Sequence, residues 1–190
     1  MLTKLTEKHL KNLLFMLPIQ NVQVYNGEIN LTIPNEFTAI VLKFLKNHTN
    51  TQYKVLSCIS CVDYPNKKNR FKLVYELLSI KYNSRLRISI LTNELDPVNS
   101  ASKVFCAANW YESEIWDMFG VFFQNHPNLT RLLTDYGFEG YPLRKDFPLS
   151  GFVETSYDFT KKQVLNNKLE LSQEYKNLNF NSPWEIIKIK

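Results

Sequence analysis

The first part of the chain shows helical and then strand-like spacing of its hydrophobic residues. Residues 2–17 carry leucines at helical spacing and run up to Pro18, which predicts an amphipathic helix that ends there. Two short segments with apolar–polar alternation then flank Asn26-Gly27. This dipeptide predicts a β-hairpin, because both residues of a tight two-residue turn need positive φ.

A second helix and three strands are predicted further along. The helix is expected from Asn35, which suits an N-cap position, to about Asn47. Its buried face is predicted to consist of Phe37, Ile40, Val41, Phe44 and Leu45. Strands are predicted over residues 53–62, 71–80 and 84–92. A short helix at 98–106 is then expected after a break at Asp96-Pro97.

The order of these elements indicates the fold class. Helices combined with strands that are joined by short turns are typical of an α+β domain with a largely antiparallel sheet. We assign residues 1–120 to that domain, 121–151 to a Gly/Pro-rich loop and 152–190 to an extended C-terminal tail. The tail is polar and weakly periodic, so we expect it to gain order by lying on another surface.

The stretch from residue 109 to residue 151 contains four of the five glycines and is the densest in shape-determining residues. Apolar residues at spacings of three and four open it, which predicts a helix that stops at Gly120. These apolar residues are Tyr111, Ile115, Met118 and Phe119.

The carboxylates of this helix differ in the face on which they lie. Three polar residues share one arc at about 100° per residue, namely Ser113, Glu114 and Asp117. Glu112 instead falls among the apolar positions. An unpaired buried charge is costly, so Glu112 needs a partner, and Arg131 and Arg144 are the nearest candidates in the sequence. A catalytic acid or base is the alternative interpretation.

A loop rich in glycine and proline is predicted after the helix. Leucines at 129, 132 and 133 predict one or two short helical turns. Residues 135–140, DYGFEG, place two glycines around an aromatic residue, which suits tight turns with positive φ. Pro142 and Pro148 then bracket an extended segment in which charges lie between apolar anchors. Such a loop is suited to wrapping around a partner.

The composition is that of an ordinary globular protein, with 190 residues, 44% of them hydrophobic and 22% charged. This length accommodates one domain with an extension. The longest apolar run, around Leu13 to Ile19, is interrupted by Pro18 and is too short to span a bilayer. The N-terminus contains Glu7 and no arginine, so we interpret it as the first helix of the fold and not as a mitochondrial presequence.

The net charge of +5 raises the alternative of a basic nucleic-acid or ribosome-associated protein. The lysines are scattered, however, and no nucleic-acid motif accompanies them. The compact basic patch at residues 67–70, KKNR, lies in a predicted solvated turn, where it would serve an acidic protein surface equally well.

Residues that would hold a metal or a cofactor are too sparse to form a site. Cys58 and Cys61 lie three apart in a predicted strand and so face opposite sides, which favours core cysteines, and Cys106 stands alone. The chain has no dinucleotide-binding glycine motif and no phosphate-binding loop. We therefore expect no cofactor and no metal. A hydrolase or redox enzyme that uses Glu112, Asp117 or the cysteines is a further alternative.

A family resemblance is specific in residues 116–151, WDMFGVFFQNHPNLTRLLTDYGFEGYPLRKDFPLSG. This run resembles the signature of the thirty-kilodalton subunit family of respiratory complex I. The resemblance extends to VDYP at 62–65, YNSR at 82–85 and SPWE at 182–185. Three positions depart from the family's usual pattern: Ser113 and Thr130 stand where arginines are usual, and Tyr141 stands where a histidine is usual.

The resemblance implies a non-catalytic core subunit of the peripheral arm, in the quinone module, of proton-pumping NADH:ubiquinone oxidoreductase. In this family, neighbouring subunits hold the flavin, the iron–sulfur clusters and the quinone pocket, which fits the absence of cofactor motifs here. The implied partners are other complex I subunits, chiefly the forty-nine-kilodalton subunit, and no nucleic acid. The implied location is the matrix side of the mitochondrial inner membrane, reached only through the complex, and the gene is expected to be organelle-encoded.

The residues expected to matter are structural or interface residues, and none is expected to be catalytic, cofactor-binding or metal-binding. They are Glu112, Glu114, Asp117, Arg131, Asp135, Tyr136, Gly137, Glu139, Gly140, Arg144, Lys145 and Asp146.

Overall fold

The computed structural model describes residues 11–180. Within them, helix α1 covers residues 11–16, so most of the predicted first helix lies outside the described residues. The SPWE run at 182–185 lies outside them as well. Two further helices are α2 (Thr38–Asn47) and α3 (Ala108–Phe119). The strands are β1 (Asn21–Tyr25), β2 (Glu28–Ile33), β3 (Val55–Asp63), β4 (Phe71–Ser79), β5 (Ser84–Thr92), β6 (Val98–Asn99), β7 (Phe123–Gln124), β8 (Val153–Asp158) and β9 (Gln163–Lys168).

The main sheet has five strands in the order β1-β2-β5-β4-β3. All neighbouring strands pair antiparallel except β2 and β5, which pair parallel. The predicted α+β fold with a largely antiparallel sheet is therefore confirmed. The predicted hairpin is confirmed too, since Asn26 (φ 50°) and Gly27 (φ 82°) form the turn between β1 and β2.

The core lies on one face of this sheet. Alternate residues of the central strands point into it and are almost fully buried, among them Leu73 and Tyr75 of β4 and Ile88 and Ile90 of β5. Helix α2 buries Val41, Leu42 and Leu45, and α3 buries Ile115 against the same cluster. The helices thus cover the apolar side of the sheet, as amphipathic helices do.

The predicted details of α2 are wrong in part. A 3₁₀ turn, Asn35–Phe37, precedes the helix, and Asn35 does not cap it. Its side chain instead donates to the carbonyl of Pro97 at 2.8 Å. The buried face of the helix is also turned relative to the predicted one, since Phe37 and Ile40 are exposed and Leu42 is buried.

The predicted helix at 98–106 is wrong. Its buried residues Val98, Ala101 and Phe105 have helical spacing, but the chain forms strand β6 followed by turns. The reason is a tertiary contact, because β6 pairs in parallel with β7, more than twenty residues away along the chain. Val98 N donates to Phe122 O and Ser100 N to Gln124 O, which satisfies backbone groups that a helix would have used internally.

The chain forms two compact units, and the boundary falls between Phe147 and Pro148. The second unit comprises the predicted C-terminal tail, 152–190, and the last four residues of the predicted loop. It contains the antiparallel hairpin β8–β9, which was not predicted from the sequence. The Asp158 carboxylate accepts hydrogen bonds from the backbone N–H groups of Thr160 and Lys161, which supports the turn between these strands.

None of the helices in the described part of the chain is long and apolar enough to cross a bilayer.

Candidate functional site

Helix α3 and the chain that follows it form the centre of the site. The helix ends as predicted at Gly120, whose φ of 77° is left-handed and whose N–H donates to Trp116 O. A Cβ at Gly120 would lie 2.6 Å from the Tyr141 ring and 2.7 Å from the Arg144 guanidinium. The loop therefore returns directly over the end of the helix, and only glycine leaves room for it.

Asp117 holds one part of this loop. Its carboxylate is fully buried and accepts hydrogen bonds from the backbone N–H groups of residues 132, 133 and 134 and from Thr134 Oγ1. Burial raises the pKa of Asp117, but these hydrogen bonds outweigh it, so that the pKa lies below its usual value.

The predictions for this part of the helix and loop are wrong at two points. Asp117 and Ser113 were assigned to a polar arc but are both buried. The leucines at 129, 132 and 133 were predicted to form a helical turn, yet residues 129–134 have no helical structure. The Asp117 carboxylate explains its own burial and the missing helical turn, because it binds three successive backbone N–H groups of this segment. Ser113 donates from its Oγ to Asn109 O within the helix.

Glu112 is fully buried, as its position among apolar residues indicates, but the predicted pairing with Arg131 or Arg144 is wrong. Its Oε1 accepts a hydrogen bond from Ala101 N at 2.6 Å, and its Oε2 lies 2.5 Å from Ser100 Oγ. Burial raises the pKa of Glu112 from 4.5 to about 7, although these two hydrogen bonds oppose the rise.

The hydrogen-bond partners of Glu112 are connected to the turn that follows β6. Ser100 Oγ, which donates to Glu112, also lies 2.7 Å from Ser102 Oγ and accepts a hydrogen bond from Ser102 N at 3.1 Å. His126 Nε2 lies 3.8 Å from Glu112 and 3.1 Å from Asn109 O, and the backbone N–H of Asn128 donates to its Nδ1.

The two arginines bind the loop and the end of the helix. Arg131 donates to the carbonyls of Phe138 and Gly140, at 2.9 and 3.3 Å, and lies 4.0 Å from Asp117. Arg144 donates from Nε to Phe119 O at 2.7 Å. This carbonyl is at the negative end of α3, where a cation is favourable.

The Tyr141 ring lies close to both guanidinium groups. The Arg144 guanidinium lies 4.4 Å from the centre of the Tyr141 ring, and that of Arg131 lies 5.3 Å from it. Both distances are typical of cation–π contacts. Tyr141 is one of the departures from the family pattern, and here its ring packs against both arginines.

A second group of charges joins the loop to the sheet. Asp63, at the end of β3, is 2% exposed and accepts two hydrogen bonds from Arg70, at 2.8 and 3.0 Å. The same guanidinium contacts Glu94 at 2.5 Å and Asp146 at 3.0 Å, and Lys145 N donates to Asp63 at 2.9 Å. We call Asp63, Arg70, Glu94 and Asp146 the Asp63 cluster.

The Asp63 cluster was not predicted from the sequence, and it shows that the prediction for Arg70 is wrong. Arg70 was predicted to lie in a solvated turn, but its side chain is only 16% exposed. Its hydrogen bonds are the main reason why the pKa of Asp63 lies below the usual value. A signal was present, because Ile59 and Asp63 share the inward side of β3, and a carboxylate at a buried strand position requires a partner.

The other predicted site residues point outward or have no charged partner. The side chains of Asp135, Tyr136, Glu139 and Lys145 are exposed. Glu114 is half-buried and forms no ion pair with a described residue. Two glycines have positive φ: Gly137 at 71° and Gly140 at 101°. The exposed residues of this set are free to contact another molecule.

The cysteines do not come together. Cys58 and Cys61 are half-buried on β3, Cys106 is exposed, and all three are free. Cys61 packs against the core, where burial raises the pKa of its thiol to about 12. Across residues 11–180, no three His, Cys, Asp or Glu side chains are grouped so as to hold a metal ion.

The raised pKa of Glu112 predicts a pH-dependent stability. The carboxyl is protonated more readily in the folded chain than in the unfolded chain, so its contribution is full below about pH 4.5 and is lost as the pH rises through about 7. Relative to Glu112→Gln, the native chain should gain about 2 kcal/mol in free energy of unfolding between about pH 7.5 and about pH 5. Urea unfolding at several pH values measures this, and parallel pH profiles of the two proteins would contradict it.

The fold and the site together define an α+β domain whose buried charges hold its own surface loop against a helix end and a sheet. Comparison with known proteins then identifies the family. Residues 31–153 match the family model of the respiratory-chain NADH dehydrogenase, 30 Kd subunit.

Similar proteins come from several organisms. NADH-ubiquinone oxidoreductase subunit 9 of Reclinomonas americana is 53% identical over 86% of this chain and 80% of its own length. The subunit 9 of Prototheca wickerhamii is 49% identical over 92% of both chains. NADH dehydrogenase [ubiquinone] iron-sulfur protein 3 of Solanum tuberosum is 54% identical over 76% of both. The chain therefore belongs to the 30 kDa subunit family of respiratory-chain NADH dehydrogenase.

The fold is also found in a solved structure of a more distant protein. A chain of the membrane-bound sulfane sulfur reductase, an archaeal respiratory membrane complex, superposes with a TM-score of 0.66 at 22% identity. The match covers 77% of this chain and 87% of that one. At this identity the likeness concerns the fold alone.

Proposed function

We propose that this chain is a non-catalytic core subunit of the peripheral arm of proton-pumping NADH:ubiquinone oxidoreductase, complex I, and that it is needed for the assembly and stability of the complex. Family membership supports the place in complex I. The structural role is supported by one observation above all, that Asp117 and Asp63 bind backbone N–H groups of the loop and Arg144 of the loop binds the end of helix α3. Groups used in this way are not available for chemistry on a substrate.

The loop held by these contacts is the proposed docking element. Hydrophobic and aromatic side chains on its outer side are exposed, including Leu133, Tyr136 and Leu143. Exposed aromatic and aliphatic side chains on a fixed backbone are typical anchors of protein interfaces, because little conformational entropy is lost when they are buried. We propose the forty-nine-kilodalton subunit of the quinone module as the main partner of this surface, and the matrix side of the mitochondrial inner membrane as its location.

The alternative of a nucleic-acid or ribosome-associated protein has less support. Arg70 adds no free positive charge to the basic patch at residues 67–70, because its guanidinium contacts three carboxylates. The Lys67 ammonium lies 4.3 Å from the ring of Tyr64. The patch therefore offers little continuous positive charge to a phosphate backbone.

Replacement of Arg144 tests the proposed role. Arg144→Ala removes the hydrogen bond to Phe119 O, the contact with the Tyr141 ring and the ion pair with Glu94 at 3.4 Å. We expect the amount of assembled complex I to fall several-fold, while the remaining complex retains its turnover. A native gel of mildly solubilised membranes, stained for NADH dehydrogenase activity and probed for this chain, measures both quantities.

A neighbouring residue provides the control for this experiment. The side chain of Lys145 is exposed and its contribution to the fold is its backbone N–H, so Lys145→Ala keeps the internal contacts of the loop and should lower assembly less than Arg144→Ala does. Normal levels of complex with Arg144→Ala would contradict the proposal. Migration of the unmodified chain apart from the active band would contradict membership in the complex.

A further inference from the structure

A groove of about 370 Å³ lies between α2 and the segment that follows β6. One wall of the groove is formed by α2 and includes Ile40 and Lys43. The other wall is formed by residues of the segment 99–104 and includes Lys103. Asn125 also lines the groove. The charged side chains that hold the loop, those of Asp117, Arg144 and the Asp63 cluster, do not line this groove. The groove therefore needs a separate functional explanation.

The α2 wall is a distinct face of an amphipathic helix. Ile40, Lys43 and Asn47 are spaced by three and four residues and therefore lie on one side. The buried residues Val41 and Leu42 lie toward the core. Ile40 is 66% exposed, so this face presents an uncovered apolar side chain next to a lysine.

The described lining of the groove is positively charged. Lys43, Lys46 and Lys103 belong to it, and none of the residues between 11 and 180 that line the groove is an aspartate or glutamate. Lys46 donates to Val104 O and its ammonium lies 5.0 Å from the Phe105 ring centre. Among residues 11–180, neither Lys43 nor Lys103 forms an ion pair. Like charges in one groove repel each other, and a bound anionic group relieves that repulsion.

We propose that this groove binds an acidic peptide segment of a neighbouring subunit, with carboxylates at Lys43 and Lys103 and an apolar side chain on Ile40. The proposal rests on the proposed function, which places the chain in a multi-subunit complex. The side-chain amides of Asn47, Asn99 and Asn125 can donate to and accept from the peptide backbone.

The shape of the groove favours a peptide over a small anion. From Ile40 to Asn47 a helix rises about 10 Å, which equals about three residues of an extended chain. A peptide of that length can place an apolar side chain beside Ile40 and acidic side chains next to it, toward the lysines. Inorganic phosphate would use the lysines but leave the exposed Ile40 uncovered.

Zero-length cross-linking of the intact, purified complex tests this inference, because a carbodiimide joins a lysine amine only to a carboxylate in contact with it. We expect Lys43 or Lys103 to be linked to an aspartate or glutamate of another subunit, next to an apolar residue, as identified by mass spectrometry. We also expect the acetylation of both lysines to be slowed several-fold in the intact complex relative to the denatured chain.

Charge variants provide the matched control. The double variant Lys43→Glu and Lys103→Glu should lower the amount of assembled complex several-fold, whereas Lys43→Arg with Lys103→Arg should retain it. Both lysines are exposed, so neither variant removes a contact of the core.

The possible outcomes separate this inference from the proposed function. Rapid acetylation of both lysines in an active complex that contains the chain, or normal assembly of the double glutamate variant, would overturn the inference and leave the proposed function intact. If the two lysines are protected from acetylation only until lipid is removed, and no protein cross-link forms, the groove binds an anionic lipid headgroup. That result would overturn the proposal of a peptide ligand. Absence of the chain from the active complex would overturn the proposed function itself.

Discussion

Replacing Gly120 by alanine should destabilise the chain by about 3 kcal/mol, the sum of a left-handed backbone cost and an overpacking cost. Gly120 has a φ of 77°, which L-residues rarely adopt. The new Cβ would also lie 2.6 Å from the Tyr141 ring and 2.7 Å from the Arg144 guanidinium, so the loop would have to move away from the helix end. The free energy of unfolding of the full chain in urea measures this effect.

Gly137 provides a control that separates the two costs. Its φ of 71° is similar, but no atom lies within 4 Å of the position that a Cβ would take. Gly137→Ala should therefore show the backbone cost alone, about 1 kcal/mol. Equal losses for the two variants would mean that Tyr141 and Arg144 do not pack on Gly120 as described.

Replacing Asp63 by asparagine should cost about 3 kcal/mol, because it leaves the half-buried Arg70 without its buried counter-charge, the one that it binds with two hydrogen bonds. Asp63 is 2% exposed and accepts two hydrogen bonds from Arg70 and one from Lys145 N. Its removal therefore weakens both the end of β3 and the attachment of the loop. We expect a lower urea midpoint, and we also expect less assembled complex on a native gel.

Asp146 offers the matched control, since it contacts the same guanidinium at 3.0 Å. Its side chain is 64% exposed, and exposed ion pairs contribute about 1 kcal/mol or less. Asp146→Asn should therefore have a small effect. If both substitutions were equally mild, the Asp63 cluster would not be what holds the loop to the sheet.

The candidate site shows which of its features could be predicted from the chain alone. The helical spacing of apolar residues placed Glu112 correctly in the interior. Its partner could not be identified, because Ser100 and Ala101 reach it only through the pairing of β6 with β7. Distance along the sequence favoured the arginines, whereas the fold used a hydroxyl and a backbone N–H.

Asp63 and Arg70 illustrate the same limit in the sheet. The strand that ends at Asp63 was predicted closely, and its alternation indicates that Asp63 faces inward. The contact of Arg70 with Asp146 joins residues 76 positions apart, and no periodic pattern encodes such a separation. Side chains that join distant segments are therefore the ones that sequence patterns do not reveal.

What the sequence determined by itself is local in physical origin. The Asn26-Gly27 turn, strands β3 to β5 and the stop of α3 at Gly120 depend on backbone preferences and on the period of apolar residues, and these act within a few residues. The family signature is likewise a property of one continuous run, residues 116–151. What only the tertiary structure decided is which distant groups meet: the pairing of β6 with β7, the hydroxyl and backbone N–H that bind Glu112, and the Asp63 cluster. These arise because each buried polar group must find a partner, and the fold, not the distance along the chain, determines which partners are within reach.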